Sequence, residues 1–113
     1  SQLLGDAQAL EQAGVFAVVL ELVPAPLAKR ITQRIGVPTI GIGAGKDCDG
    51  QVQVIHDLLG MFSDFTPKHA KPYARLAGSI KSAIAEYMED VNQGRFPAAG
   101  HSPTMDESIL KDL

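Results

Sequence analysis

The stretch Val15-Phe16-Ala17-Val18-Val19-Leu20-Glu21-Leu22-Val23-Pro24 decides how this chain is read. It is a nearly unbroken apolar run with a single carboxylate close to its end. A run of that length without polar alternation is the pattern of a strand covered on both faces, as in parallel sheets. Pro24 and Pro26 end the strand and suit the first turn of a helix, where a missing N–H leaves no bond unmade. Glu21 is therefore expected at the end of a buried strand. A carboxylate there is costly unless it is hydrogen-bonded, protonated or used, and strand ends that feed into loops are where α/β folds build their sites. The alternative is a structural acid that caps the following helix.

Working outward, residues 2 to 13 predict a helix with Leu3, Leu4, Ala7 and Leu10 on one face and Gly14 as its C-terminal stop. The strand spans 15 to about 22, and a second helix runs from about 24 to 35 with Leu27, Ile31 and Ile35 as its apolar stripe and Gly36 after it. Residues 37 to 42 read as a second buried strand, and Val52-Gln53-Val54-Ile55, continuing towards Asp57, as a third. About eight residues separate these last two. That is short for a parallel crossover, which needs about a dozen, so either a turn of helix fits the gap or one strand is misplaced. Residues 60 to 73 are loop-like around Pro67 and Pro72, a long helix spans about 74 to 93 with Leu76, Ile80, Ile84, Tyr87, Met88 and Val91 in helical spacing, and 97 to 113 read as an extended or mobile tail. Alternating strands and helices point to βαβ units, a largely parallel sheet and the α/β class. Three strands cannot close a barrel or build a doubly wound sheet, so the sequence is expected to be one part of a larger α/β protein.

The 113 residues carry a formal charge of −3, with 45 % hydrophobic and 20 % charged residues, which is ordinary globular composition. Mild acidity argues against nucleic acid as the main partner. No apolar stretch approaches the ~18 residues of a membrane-spanning helix, and no charged-then-apolar leader opens the chain. The single cysteine, Cys48, excludes an intrachain disulfide framework and fits a reducing compartment, the cytoplasm.

Gly41-Ile42-Gly43-Ala44-Gly45 invites comparison with phosphate cradles. It has neither G-x-G-x-x-G spacing nor the Gly-Lys-Ser/Thr of a P-loop, and a tight strand exit or a ligand wall of backbone groups accounts for it better. Asp47, Asp49, His56 and Asp57 lack calcium-loop spacing, and one cysteine does not make a zinc site. Asp47 and Asp49 read as solvated loop acids, while His56 and Asp57 would end an apolar strand as a structural pair. Lys68, His69, Lys71 and Tyr73 form a small basic stretch that is either solvated or meets an anionic ligand tail.

Taken together, Leu20-Glu21-Leu22-Val23-Pro24, Ala28-Lys29-Arg30-Ile31-Thr32, Pro38 to Gly45, Asp49-Gly50-Gln51, His56-Asp57, Pro67-Lys68, Gly94-Arg95-Phe96-Pro97 and His101-Ser102 resemble, in that order, the ketopantoate hydroxymethyltransferase family. The resemblance covers roughly residues 1 to 102. It implies a (β/α)₈ TIM barrel of about twice this length, of which this chain would be the C-terminal half, with residues 1 to 96 in the barrel and 97 to 113 as a tail. It further implies hydroxymethyl transfer from 5,10-methylenetetrahydrofolate to 3-methyl-2-oxobutanoate, giving 2-dehydropantoate on the route to pantothenate and coenzyme A. Mg²⁺ would bind the keto acid through acids in the missing N-terminal half, so no metal ligand is expected in this chain, and the folate-binding residues are not assigned. Glu21 would be the general base, taking a proton from the β-carbon of a keto acid whose enolate needs stabilising. Gly41 to Gly45 would wall the mouth of the site, and no role is carried over to His56 or Asp57. A homodecamer is implied, with the last helix and tail in subunit contacts. Alone, the chain is expected to be inactive. The rivals are another Mg²⁺-dependent keto-acid barrel lyase or aldolase, and a non-catalytic oligomerisation fragment.

Overall fold

The computed structural model describes residues 2–62 and 64–112; of the expected loop and tail, Ser63 and Leu113 lie outside them. The order is α1 (Gln2–Gln12), β1 (Val18–Glu21), α2 (Ala25–Thr32), β2 (Thr39–Ile42), β3 (Gly50–Gln51), α3 (Ile55–Leu58) and α4 (Ala77–Asn92), followed by 3-10 turns at Ala99–His101 and Glu107–Asp112. The chain is α/β, with a three-stranded parallel sheet in the order β1-β2-β3. It divides into two compact units, one ending at Leu76 and the other beginning at Ala77.

In the first unit, β1 pairs with β2 in register Val18↔Thr39 to Glu21↔Ile42. Val18 and Leu20 turn one way and pack with Ala7 of α1, with Ala28 and Ile31 of α2, and with Val23, Ile35 and Ala44. Ala28 and Ile31 are fully buried, which makes α2 the element on which this core closes. Pro24 occupies the N-cap of α2 with Pro26 in its first turn, as read from the sequence, and Lys29 and Arg30 in its last turn suit the negative end of the helix dipole. The helix stops at Thr32, three residues before the expected end. There the Thr32 hydroxyl donates back to the Ala28 carbonyl at 2.9 Å, a bond that competes with helix continuation. At the end of α1, Gly14 takes φ +87°, as its expected role as a stop requires.

Two expectations are corrected. First, β1 is not covered on both faces. Its burial alternates, and Val19 is 62 % exposed and Phe16, just before the strand, 92 %. Among the described residues of the first unit, Val19 and Glu21 stand exposed on one face, whereas residues of α1 and α2 pack against the other. Second, the third strand is not Val52–Ile55 but the pair Gly50–Gln51, aligned Ile40↔Gly50 and Gly41↔Gln51, with Val52 N donating to the Gly41 carbonyl at 2.9 Å. Val54 instead caps α3, so His56 and Asp57 lie on a helical turn rather than at a strand end. The β-branched residues around Gln53 mimic a strand, while a two-residue pairing has no periodicity to read.

The short connection between β2 and β3 is possible because it doubles back. Asp49 returns to the start of β2, where its carboxylate accepts from Thr39 N at 2.8 Å and from the Thr39 hydroxyl at 3.2 Å, while Asp49 N donates to Thr39 Oγ1 at 3.3 Å. Asp49 is exposed, as a solvated loop acid should be, and its carboxylate also anchors the loop, a role the sequence did not show. Asp47 does stand at the surface, 3.8 Å from Lys29. Thr39 is fully buried, and its hydroxyl also lies 2.8 Å from that of Thr32.

In the second unit, α4 spans the core of the expected helix and Gly94 closes it at φ +70°. Its residues Ile84, Tyr87, Met88 and Val91 are exposed. Beyond it, Phe96 stands edge-on to Tyr87 and 4.9 Å from the His101 ring, and His101 Nδ1 accepts from Ala98 N at 3.0 Å.

Candidate functional site

The C-terminal ends of the three strands gather the residues that the sequence singled out. Glu21 closes β1, solvent-exposed and side by side with Ile42. By strand alternation its side chain lies on the open face with that of Val19. Among the described residues it makes no side-chain hydrogen bond, so it does not cap α2. Leu22 follows at φ +54°, a region that non-glycine residues rarely enter. Such a conformation costs on the order of 1–3 kcal/mol and persists only where its surroundings enforce it. Here Leu22 N still donates to the Ile42 carbonyl at 2.9 Å, so the sheet continues one bond beyond Glu21 while the chain turns sharply.

Gly43 receives that turn. At φ +62°, a Cβ on it would sit 2.7 Å from Leu22 Cδ2 and 3.0 Å from His69 Cβ. The glycine-rich exit and the basic stretch, which are distant in sequence, thus meet at this point. The loop bearing His69 is held by Gln53, whose amide nitrogen donates to the Lys71 carbonyl at 3.0 Å and whose amide oxygen accepts from Lys71 N. Between loop and strand ends is an open cavity of about 440 Å³. Gly43, Gln51, Val52 and Gln53 line it from the sheet side, Leu58 from α3, and His69, Lys71 and Tyr73 from the loop. Lys71 Nζ sits 4.9 Å from the centre of the Tyr73 ring. A smaller cavity of about 210 Å³ runs along β1 and α1, reaching from Leu3 and Asp6 to Glu21.

His56 and Asp57 are not among the residues that line either cavity. Cys48 is a free, half-buried thiol beneath Gly41, packed against the core. Among the described residues no three His, Cys, Asp or Glu side chains stand close enough to hold a metal, and no helix is long and apolar enough to cross a membrane. Sequence reasoning missed Gln53 as the clamp on the loop and Leu22 as a strained turn. Gln53 was hidden within an apparent strand, and a leucine gives no signal of positive φ.

An α/β chain with an acid and a loop-roofed cavity at the C-terminal ends of parallel strands belongs to the class that binds small molecules at strand ends. The family-profile comparison is specific: the ketopantoate hydroxymethyltransferase profile matches residues 1–99. A 3-methyl-2-oxobutanoate hydroxymethyltransferase of Dehalococcoides mccartyi is 59 % identical over 111 residues, 98 % of this chain and 40 % of that protein. Proteins of the same name from Chloroflexus aurantiacus and Acetivibrio thermocellus are 58 % and 54 % identical over 96 % of this chain. The chain belongs to the ketopantoate hydroxymethyltransferase family. It spans about 40 % of the length of the curated relatives it matches.

Proposed function

We propose that the protein of which this chain forms part transfers a hydroxymethyl group from 5,10-methylenetetrahydrofolate to 3-methyl-2-oxobutanoate, giving 2-dehydropantoate, with Glu21 as the general base. The observation that carries this reading is Glu21 itself: an exposed carboxylate at the end of β1 with no hydrogen-bond or ion-pair partner among the described residues, in a chain 59 % identical to a protein named for that reaction.

Glu21 takes the proton from the β-carbon of the keto acid. Water cleaves the two C–N bonds of the methylene bridge, releasing tetrahydrofolate and the one-carbon unit at the oxidation level of formaldehyde. The electron pair left on the β-carbon forms the new C–C bond to that carbonyl carbon, whose water-derived oxygen takes up a proton and becomes the hydroxyl. A carboxylate at hydrogen-bond reach of the carbon acid contributes by positioning and proton transfer, typically 10²–10⁴-fold. Leu22 and Gly43 fix the turn that presents it. Mg²⁺ belongs to this reading as the ion that polarises the keto acid. The described residues form no site for it.

The bared sheet face supports a (β/α)₈ barrel in the whole protein. Val19 lies exposed there, and among the described residues β1 and β3 have no further strand beside them, features that further strands would cover. The exposed apolar residues of α4 support a homo-oligomer, proposed as a decamer, and the single cysteine fits a cytoplasmic protein. By itself the chain would be inactive. The test is formation of 2-dehydropantoate from the two substrates by the full-length protein, assayed with Mg²⁺ and then with EDTA. Product that disappears on chelation is expected; no product under either condition would overturn the assignment.

A further inference from the structure

We propose that the cavity between the ends of β2 and β3 and the loop carrying His69, Lys71 and Tyr73 is the seat of the one-carbon donor, a planar nitrogen-rich ring with an anionic extension. This deepens the function proposed above and rests on it. At about 440 Å³ the cavity lies within the usual range of small-molecule sites. Its lining combines the apolar Val52 and Leu58 with the aromatic side chains of His69 and Tyr73, and Tyr73 is 71 % exposed, which leaves ring surface for a ligand to pack on. Lys71 sets a cation over one face of that ring, which leaves the other for a ligand.

The amide inventory narrows the ligand further. Gln53 spends its oxygen and one N–H on the Lys71 backbone, and the Gln51 nitrogen donates to the Gly45 carbonyl at 2.9 Å. Among the described residues none bonds the oxygen of Gln51, which can accept from a ligand N–H. Flat surfaces, an acceptor for a ring N–H and a cation at the rim suit a heteroaromatic ring with a carboxylate tail. They do not suit a small aliphatic keto acid, which offers no ring to stack.

Position supports the same assignment. Gly43 directly follows Ile42, the register partner of Glu21, and neighbouring strands lie about 4.8 Å apart. A ring resting over Gly43 is thus within roughly two strand spacings, about 10 Å, of Glu21, close enough for a one-carbon unit to be handed to a substrate held at that carboxylate. A side chain at Gly43 would occupy that edge and displace Leu22 and His69.

The test uses the full-length protein and measures binding rather than turnover. Tetrahydrofolate and 3-methyl-2-oxobutanoate are titrated separately into wild type, Lys71→Ala, Tyr73→Leu and, as a control on a neighbouring lysine outside the cavity wall, Lys68→Ala. Loss of the cation or the ring is expected to weaken tetrahydrofolate about tenfold, with keto-acid affinity and the Lys68→Ala variant unchanged. Unaltered tetrahydrofolate affinity in both cavity variants, or weakened keto-acid binding in place of it, would overturn the proposal. Because binding is read without product, a wild-type protein that binds tetrahydrofolate in this cavity but makes no 2-dehydropantoate would remove the activity assignment and leave the cavity assignment standing.

Discussion

Leu22 shows how much of the site depends on single backbone angles. Its φ of +54° puts a bulky residue where glycine is usual, directly after the carboxylate proposed to do the chemistry. Gly43 makes that possible by leaving room for the leucine side chain and for His69. Replacing Gly43 with alanine should therefore cost about 1–2 kcal/mol from the left-handed conformation alone. Displacement of Leu22 and His69 adds to that, and urea unfolding of the full-length protein reads the sum. A stability loss well below 1 kcal/mol would mean that the contacts around Gly43 relax freely. Glu21 itself was legible in the sequence, because a carboxylate inside an apolar run is anomalous on its face. Leu22 was not, since nothing in a leucine reports its φ.

At the scale of elements, α2 and the start of β2 carry the stability of the first unit. Ile31 is fully buried on α2, and truncation to alanine should cost about 2–5 kcal/mol. Asp49 is the less obvious support. Its carboxylate satisfies both the backbone N–H and the hydroxyl of the buried Thr39. Asp49→Ala should cost about 1–3 kcal/mol by leaving a buried donor unmet, and Asp49→Asn less, since it keeps one acceptor; the spacing of their denaturation midpoints checks this ordering. The 3-10 turn after Asp106 has a pH signature of its own. Bonds from the Ser108 hydroxyl and from Ser108 N hold the Asp106 carboxyl below its ordinary value. The turn is thus favoured above the ordinary carboxylate range and lost as pH falls through the lowered value, which amide exchange at Ser108 would follow. α1, α2, α4 and the first two strands were legible because their periodicity and their proline and glycine stops agree, whereas α3 was read as the end of a strand. β3 and the role of Asp49 were not, because a two-residue strand and a tertiary hydrogen bond leave no periodic trace.

At the largest scale, within the first unit one side of the sheet packs against α1 and α2, and among the described residues of that unit the other side carries Glu21 and Val19 exposed. The sequence read as buried on both sides, and its apolar run matches a strand meant to be covered, while the described residues of the first unit leave Val19 62 % exposed. The acid, the strained turn and the roofed cavity all cluster at one end of the sheet, and that clustering gives the site its chemical sense. The most direct test of the central claim follows exchange of the β-hydrogen of 3-methyl-2-oxobutanoate for deuterium in D₂O, catalysed by full-length wild type and by Glu21→Gln. If Glu21 is the base, the variant loses exchange by about 10²–10⁴-fold while still binding the keto acid. Exchange by Glu21→Gln at the wild-type rate would contradict that role.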